Sequence, residues 1–382
     1  MTEKKYAIVY DWMDKWGGVE RILLNLHQMF PNAVFYTSHV DLEKAPWAKS
    51  LPLRATFMQK LPKFITRNRI LSLLFYPFAF ESIDLSEYDV VLSVTSSFAK
   101  AVITKPDTLH ISYILTPTRF LWVKQEEYIK NRFLAFISAP VLTWLREWDF
   151  YASKRPDVLV ALSEVVQQRI TKYYQRQSTL VYPPFDTKYW ETLQTAHTLH
   201  TQALREWAHS CGIQSSFYLV VSRLESYKKV DLAIKAMKSL PQEQLIIVGT
   251  GSKSAQLRKL AGKNCTFLGA VTEEQLAYLY ANANAFIMPQ EEDFGYVALE
   301  AVFFGCPVIA YRQGGAIETV QAGKTGIFFE KQTEEDLLKA LAHFHTVSYN
   351  VKKYLKMEGK ERVQRFKKNV FEDKIRHLIS IS

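Results

Sequence analysis

Short apolar runs, each about the length of one β-strand, alternate with helix-length segments almost from end to end of this chain, and that alternation restricts the fold more than any other feature. In the first half the runs are "YAIVY" (6–10), "AVFYTS" (33–38), "DVVLSV" (89–94), "HISYIL" (110–115) and "VLVALS" (158–163). In the second half they are "FYLVVS" (217–222), "QLIIVG" (244–249), "CTFLGA" (265–270), "AFIMP" (285–289), "PVIAY" (307–311) and "TGIFF" (325–329). Their near-continuous apolarity is the pattern of parallel strands covered on both faces. Strands separated by helix-length segments imply right-handed βαβ units and a doubly wound sheet.

The pattern starts twice. Between the two series lies "STLVYPPFDTKYWETLQ" (178–194), in which Pro183-Pro184 is a hard break. The expectation is an α/β protein of two Rossmann-like, doubly wound domains, 1–185 and 186–365, facing a central cleft where ligands gather beyond the carboxyl ends of the strands. The charged, amphipathic close of the chain reads as terminal helices, with residues 366–382 crossing back onto the first domain.

Composition narrows the class of function. With 382 residues, 48% hydrophobic and 23% charged, the chain can build two such cores. Its formal charge of +10 favours anionic partners such as nucleotides, nucleic acid or an acidic membrane face. No recognisable RNA or DNA module accompanies the charge, which weighs against nucleic acid. Cys211, Cys265 and Cys306 are scattered without a C-x-x-C, as expected of a reducing compartment and not of a disulfide frame or zinc site. Only "YAIVY" is apolar before Asp11, too short for a signal-peptide core. The longest charge-free apolar stretches, "ILSLLFYPFAF" (70–80) and "FLAFISAPVLTWL" (133–145), fall short of the roughly 18–20 residues of a membrane-spanning helix. The expected location is cytoplasmic.

Four stretches could carry chemistry. Gly17-Gly18 stands between the first strand and a helix beginning near Val19, where backbone N–H groups either meet an anion or simply complete a tight turn. In "VVSRLESYKKVDLAIKAM", Arg223 leaves a strand and Lys228 follows five residues later; two such cations neutralise a diphosphate or are solvated surface charges. "IIVGTGS" (246–252) is a further glycine-rich strand exit, more readily a turn than a binding loop. In "EEDFGYVALE" (291–300), Glu292 falls in a loop and Glu300 about two turns into a helix, with a helix start at Gly295-Tyr296 between them. That set suits a ligand with hydroxyls at both ends and phosphates in the middle. A mere surface charge would not explain Glu300 flanked by Leu299 and Ala301-Val302.

In order, "GG" before a helix, "SRLESYK", "VGTGS", "FLGAVTEEQLAYLYANANAFIMP", "EDFGYVALEA", "GCPVIAYRQGGAIETV" and "GKTGIFF" resemble the retaining glycosyltransferases of family 4, with the GT-B fold of two Rossmann-like domains. The likeness spans essentially the whole chain and is most specific over 217–330. "YDWMDKWGGVER" and "YILTPTRFLW" resemble a bacterial polysaccharide subgroup of mannosyl- and related transferases.

The resemblance implies that Glu292 holds donor-sugar hydroxyls, the Phe294, Gly295, Tyr296 and Val297 backbone binds sugar and diphosphate, and Glu300 takes the ribose hydroxyls. Arg223 and Lys228 would stabilise the departing diphosphate, with Gly17 and Gly18 closing on it and Leu268, after the third strand of its domain, near the base. Asp11, Thr116 and Arg119 are the acceptor-side candidates. The implied reaction moves a hexose, mannose first, from a GDP- or UDP-linked donor to a glycan or polyprenyl-diphosphate-linked hydroxyl with retention. No cofactor and no essential metal are implied, and no D-x-D occurs in the cleft segments.

Where the subgroup often has a histidine after the fifth strand, this chain has Leu115. A second reading is therefore a donor-binding partner protein with little transferase activity, favoured if Leu115→His brought a large gain in rate. Another GT-B enzyme, such as a phosphorylase or epimerase, is a third. Between Glu43 and Glu81 no acidic residue occurs, while Lys44, Lys49, Arg54, Lys60, Lys63, Arg67 and Arg69 accompany "LLFYPFAF". This segment, 44–80, suits either peripheral contact with an anionic membrane or a basic helix face with its apolar side in the core.

Overall fold

The computed structural model describes residues 4–66, 69–123 and 132–381, the side chains of 69, 70, 132–138, 197 and 198 aside. The chain divides into two compact units, Met1–Pro184 with Asn369–Ser382, and Phe185–Lys368.

The first unit is built on a parallel sheet of strands β1 (Tyr6–Tyr10), β2 (Val34–Thr37), β3 (Leu53–Ala55), β4 (Val90–Thr95), β5 (Leu109–Ile114), β6 (Val158–Ala161) and β7 (Thr179–Leu180), in the order β3-β2-β1-β4-β5-β6-β7. Every residue of β4 is buried, which is why its sequence runs apolar without alternation. The polar residues inside the sheet pair with one another: Ser93 Oγ lies 2.9 Å from His110 Nε2 and donates to Ser112 Oγ at 2.8 Å. Tyr36, Phe80, Val91, Phe98 and Leu145 belong to the core on one side. Each such side chain contributes about 1.5–3 kcal/mol by leaving water.

The second unit holds the parallel sheet β8 (Phe217–Val221), β9 (Gln244–Val248), β10 (Cys265–Gly269), β11 (Ala285–Met288), β12 (Val308–Tyr311) and β13 (Gly326–Phe329), ordered β10-β9-β8-β11-β12-β13. A 29-residue helix, Glu334–Arg362, covers it with Leu337, Leu341 and Phe344 in a core shared with Ile234, Met237, Ile287 and Ile309. Strands β3 and β7 were not foreseen. Both are short edge strands with exposed positions, so neither presents an apolar run.

The chain passes between the units twice, at Pro184/Phe185 and at Lys368/Asn369. These two crossings pair side by side: Phe185 N–H donates to Phe366 C=O at 2.7 Å, and Lys368 N–H to Phe185 C=O at 3.1 Å. The last helix, Lys368–Ile381, buries Phe371, Ile375, Leu378 and Ile379. Within the first unit, Phe371 meets Tyr113 edge-on at 5.8 Å and Asn25 Nδ2 donates to Glu372 Oε1 at 2.9 Å.

Candidate functional site

In the second sheet, β9 lies on one side of β8 and β11 on the other, so the strand order reverses between β8 and β11. Loops leaving the carboxyl ends of two such strands diverge and leave a crevice. The loop after β8 carries Arg223, exposed, and a short 3-10 turn, Ser226–Lys228. Lys229 then takes the left-handed conformation (φ 51°) to enter the helix Val230–Lys238. The Arg223 guanidinium lies 5.9 Å and Lys228 Nζ 5.2 Å from the Tyr227 ring centre, so one aromatic ring serves both cations.

The loop after β11 faces them. Lys228 Nζ forms a short ion pair with Glu292 Oε1, and Gln290 Nε2 donates to the same oxygen at 3.0 Å. The paired side chains keep 11% and 21% exposure, so the pair is sheltered but within reach of a ligand. Gly295, at φ 90°, turns the chain into the helix Tyr296–Phe303. Phe294 is buried against Tyr296 (5.3 Å) and Phe366 (5.4 Å). Glu300 is buried, and Tyr280 OH, from the helix Glu273–Asn282, donates to its Oε2 at 3.1 Å. It is the fifth residue of its helix, one turn in and not two, and it is no surface charge.

A support that the sequence reading did not single out lies behind this loop. Gly315 N–H donates to Glu292 C=O at 2.7 Å, and Gly314 pairs with Glu292 as an isolated bridge. A Cβ on Gly314 would stand 2.2 Å from the Glu292 carbonyl oxygen, and one on Gly315 2.4 Å from Phe294 Cα. Only glycine permits that approach. The available signal was a second GG between a strand and a helix start, as at Gly17-Gly18. The "GTGS" turn supports the other loop: Leu224 N–H donates to Thr250 C=O at 2.9 Å, and Glu225 accepts from Ser252 N–H (2.9 Å) and Oγ (2.6 Å). The Ser252 hydroxyl, with its N–H, holds the Glu225 carboxyl below its usual range.

Leu268 is not after its strand but within β10, where the register against β9 shifts between Phe267 and Gly269. Strand β9 lies between it and β8, and the β10 exit is joined to the β9 exit by Gly249 N–H donating to Gly269 C=O at 2.7 Å.

In the first unit the order reverses between β1 and β4. Gly17 caps the helix Gly18–Met29, with extended backbone. Asp11, at the end of β1, is buried, and its carboxylate accepts from Thr95 Oγ1, Ser96 N–H and Oγ, Phe98 N–H and Ala99 N–H, four of the five at 2.8 Å. Both its oxygens accept from the β4 exit. Thr116 is also buried, with Arg169 Nη1 3.5 Å from its Oγ1; Arg119 begins the short helix Arg119–Trp122 and is half-buried. Leu115 is buried, its N–H on Thr95 C=O at 2.8 Å. Beneath this loop a second buried carboxylate, Asp149, accepts from Lys100 Nζ (2.5 Å), Thr118 Oγ1 (2.7 Å), Trp122 Nε1 (2.7 Å) and Tyr174 OH (2.9 Å). Four donors from separate segments converge on that one group, which makes it a scaffold for the β5 exit.

Among the described residues no three or more His, Cys, Asp or Glu side chains form a group that could hold a metal ion, and no helix is long and apolar enough to cross a membrane.

Residues 212–364 match the sequence model of the family described as Glycosyl transferases group 1. The chain is 35% identical over 126 residues to sulfoquinovosyl transferase SQD2 of Arabidopsis thaliana, covering 32% of this chain and 25% of that protein. It is 36% identical over 139 residues to a GDP-mannose-dependent alpha-(1-6)-phosphatidylinositol monomannoside mannosyltransferase of Mycobacterium tuberculosis, covering 32% of this chain and 36% of the relative. The matches thus span between a quarter and about a third of those relatives' lengths. The crystal structure of Anabaena HepE in complex with UDP superposes with a TM-score of 0.72 at 17% identity, covering 99% of this chain and 100% of that one.

Proposed function

We propose, for a chain that is glycosyltransferase family 4-like and of GT-B fold, that the second unit binds a nucleotide-diphosphate sugar and that the protein transfers its hexose, with retention, to a hydroxyl of a glycan or lipid-linked acceptor. The observation that carries this is the charged group at the β8–β11 reversal: exposed Arg223 and the Lys228–Glu292 pair, beside the start of the helix Tyr296–Phe303. Arg223, Lys228 and the helix N–H groups supply positive potential for a diphosphate without calling on a metal ion. Glu292 accepts hydrogen bonds from sugar hydroxyls, and Glu300, held by Tyr280, from the ribose. In the transfer the bond from the anomeric carbon to the diphosphate oxygen breaks. A bond to the acceptor oxygen forms on the same face, and the acceptor's proton ends on the diphosphate.

GDP-mannose is the first donor choice, after the mannosyltransferase relative, and a UDP-sugar the second, after the UDP-bound structural neighbour. A thermal-shift screen against UDP, GDP, ADP and their sugar conjugates, with and without EDTA, tests the reading. A shift with one base that EDTA leaves unchanged supports it; no shift with any nucleotide overturns it.

The acceptor side is proposed to rest on an anionic membrane at its cytoplasmic face. Phe64 (67% exposed), Phe78 (59%), Phe57, Leu71 and Leu74 stand in water beside exposed Lys49, Lys60 and Lys63. Arg67 and the Arg69 side chain, part of the same expectation, lie outside the described residues. The segment also buries Met58, Tyr76 and Phe80, so only one side of it is in the core. Co-flotation with phosphatidylglycerol vesicles, absent with phosphatidylcholine and reduced in a Phe64→Ser, Phe78→Ser variant, is expected. Equal flotation with both lipids would rule out the electrostatic part.

A further inference from the structure

We infer that Gln290 positions the Glu292 carboxylate for the donor sugar, an inference that rests on the donor-site reading above. Gln290 follows β11 and is 2% exposed. Its Nε2 reaches Glu292 Oε1 at 3.0 Å, the oxygen that also receives Lys228 Nζ. A glutamate carboxylate is free to rotate about its last bond, and two donors arriving on one oxygen from two different loops remove that freedom. The amide has one sensible orientation: turned over, its carbonyl oxygen would face a carboxylate oxygen with no proton between them.

This orientation leaves Gln290 Oε1 buried and, among the described residues, without a hydrogen-bond partner. Such an oxygen is unfavourable for stability, and a methionine of similar length would avoid it. The loop's backbone does not depend on Gln290. Pro289 C=O is held by Gln332 Nε2 at 2.8 Å and Glu292 C=O by Gly315 N–H at 2.7 Å. What the amide adds is the direction of one carboxylate. Lys228 cannot be the sole holder, because a diphosphate would compete for its ammonium. The neutral amide has no such second call upon it, and it keeps Glu292 aimed while the lysine turns to phosphate.

The test compares the wild type, Gln290→Met and Gln290→Ala with GDP, UDP, GDP-mannose and UDP-glucose as probes. Turnover is read as release of nucleoside diphosphate with water as acceptor, in which water's oxygen bonds to the anomeric carbon and its proton passes to the diphosphate. For Gln290→Met we expect affinity for the bare nucleotide within about twofold of wild type and kcat lower by about tenfold, with KM little changed. Its melting temperature should equal or exceed the wild type's, while Gln290→Ala, which also leaves a void, melts lower. Wild-type turnover in Gln290→Met overturns the inference. So does a joint fall in melting temperature, nucleotide affinity and turnover, which marks a packing role. If the wild type itself binds none of the four probes, the donor-site reading fails first and this inference falls with it.

Discussion

The two sheets have the same kind of reversal and use it in opposite ways. At β1–β4 a buried carboxylate, Asp11, gathers five donors from the neighbouring strand exit and closes the junction with hydrogen bonds. At β8–β11 the corresponding space holds an exposed arginine and an ion pair whose side chains keep 11% and 21% of their surface in water. Topology supplies the crevice in both; the side chains decide whether it is stitched by hydrogen bonds or lined with charge. A carboxylate satisfied by fixed backbone N–H groups is structure, whereas one held by a mobile ammonium and an amide can exchange partners.

That contrast can be broken at its strongest point by Asp11→Ala. Losing the acceptor strands several buried donors, and stability should fall by roughly 3 kcal/mol or more, lowering the melting temperature by about 10 °C. Nucleotide binding by whatever remains folded should be unchanged. A variant that melts like the wild type would mean that the junction is not stitched by this group.

On the other side the expected effect is on rate. Glu292→Ala should lower turnover by roughly 100-fold and also lower the melting temperature somewhat, because buried Lys228 and the Gln290 amide lose their shared acceptor. Glu300→Ala should instead weaken nucleotide binding about tenfold and cost some stability, since Tyr280 OH loses its acceptor. Small, equal effects of both in steady-state kinetics would erase the distinction between the sugar and ribose ends.

A separate effect, seen only on acidification, is a titration confined to the first unit. His110 is fully buried, and burial, with Arg176 and Arg155 adding to it, pushes its pKa down to about 3. Native His110 therefore stays neutral where the unfolded chain, near pKa 6.5, takes up a proton. Its contribution is complete above pH 6.5 and is lost as pH falls from there toward 3, by up to about 1.4 kcal/mol per pH unit. Urea melts of the wild type and His110→Gln between pH 4.5 and 7.5 should differ in slope by that sign; parallel slopes would refute it.

How much of this could be read in advance follows from which interactions are local. The strands were legible because burial on both faces writes an apolar run that needs no partner to be seen. Leu53–Ala55 and Thr179–Leu180 were not, being edge strands that owe their pairing to neighbours. Glu300 stood out as a charge in an apolar helix, and Glu292 as a carboxylate in the loop just before it. Asp11 looked equally eligible, and its true partners lie 84 to 88 residues along the chain, mostly as backbone amides and hydroxyls that no sequence pattern marks. Gln290 and Gly314-Gly315 were passed over for a related reason: a neutral amide and a missing side chain carry no charge signal, and their meaning appears only with the loop they touch.

The pairing of the two chain crossings has a consequence for how the molecule can be taken apart. Because both termini belong to the first unit, Phe185–Lys368 is, in topological terms, an insertion whose ends are hydrogen-bonded neighbours. It can be expressed as one uninterrupted segment with its own sheet and core, whereas its host is two segments that need a short splice across the gap. The nucleotide chemistry assigned to Arg223, Lys228, Glu292 and Glu300 lies wholly inside the removable piece, so a 184-residue fragment is the natural vehicle for isotope-labelled spectroscopy of that chemistry.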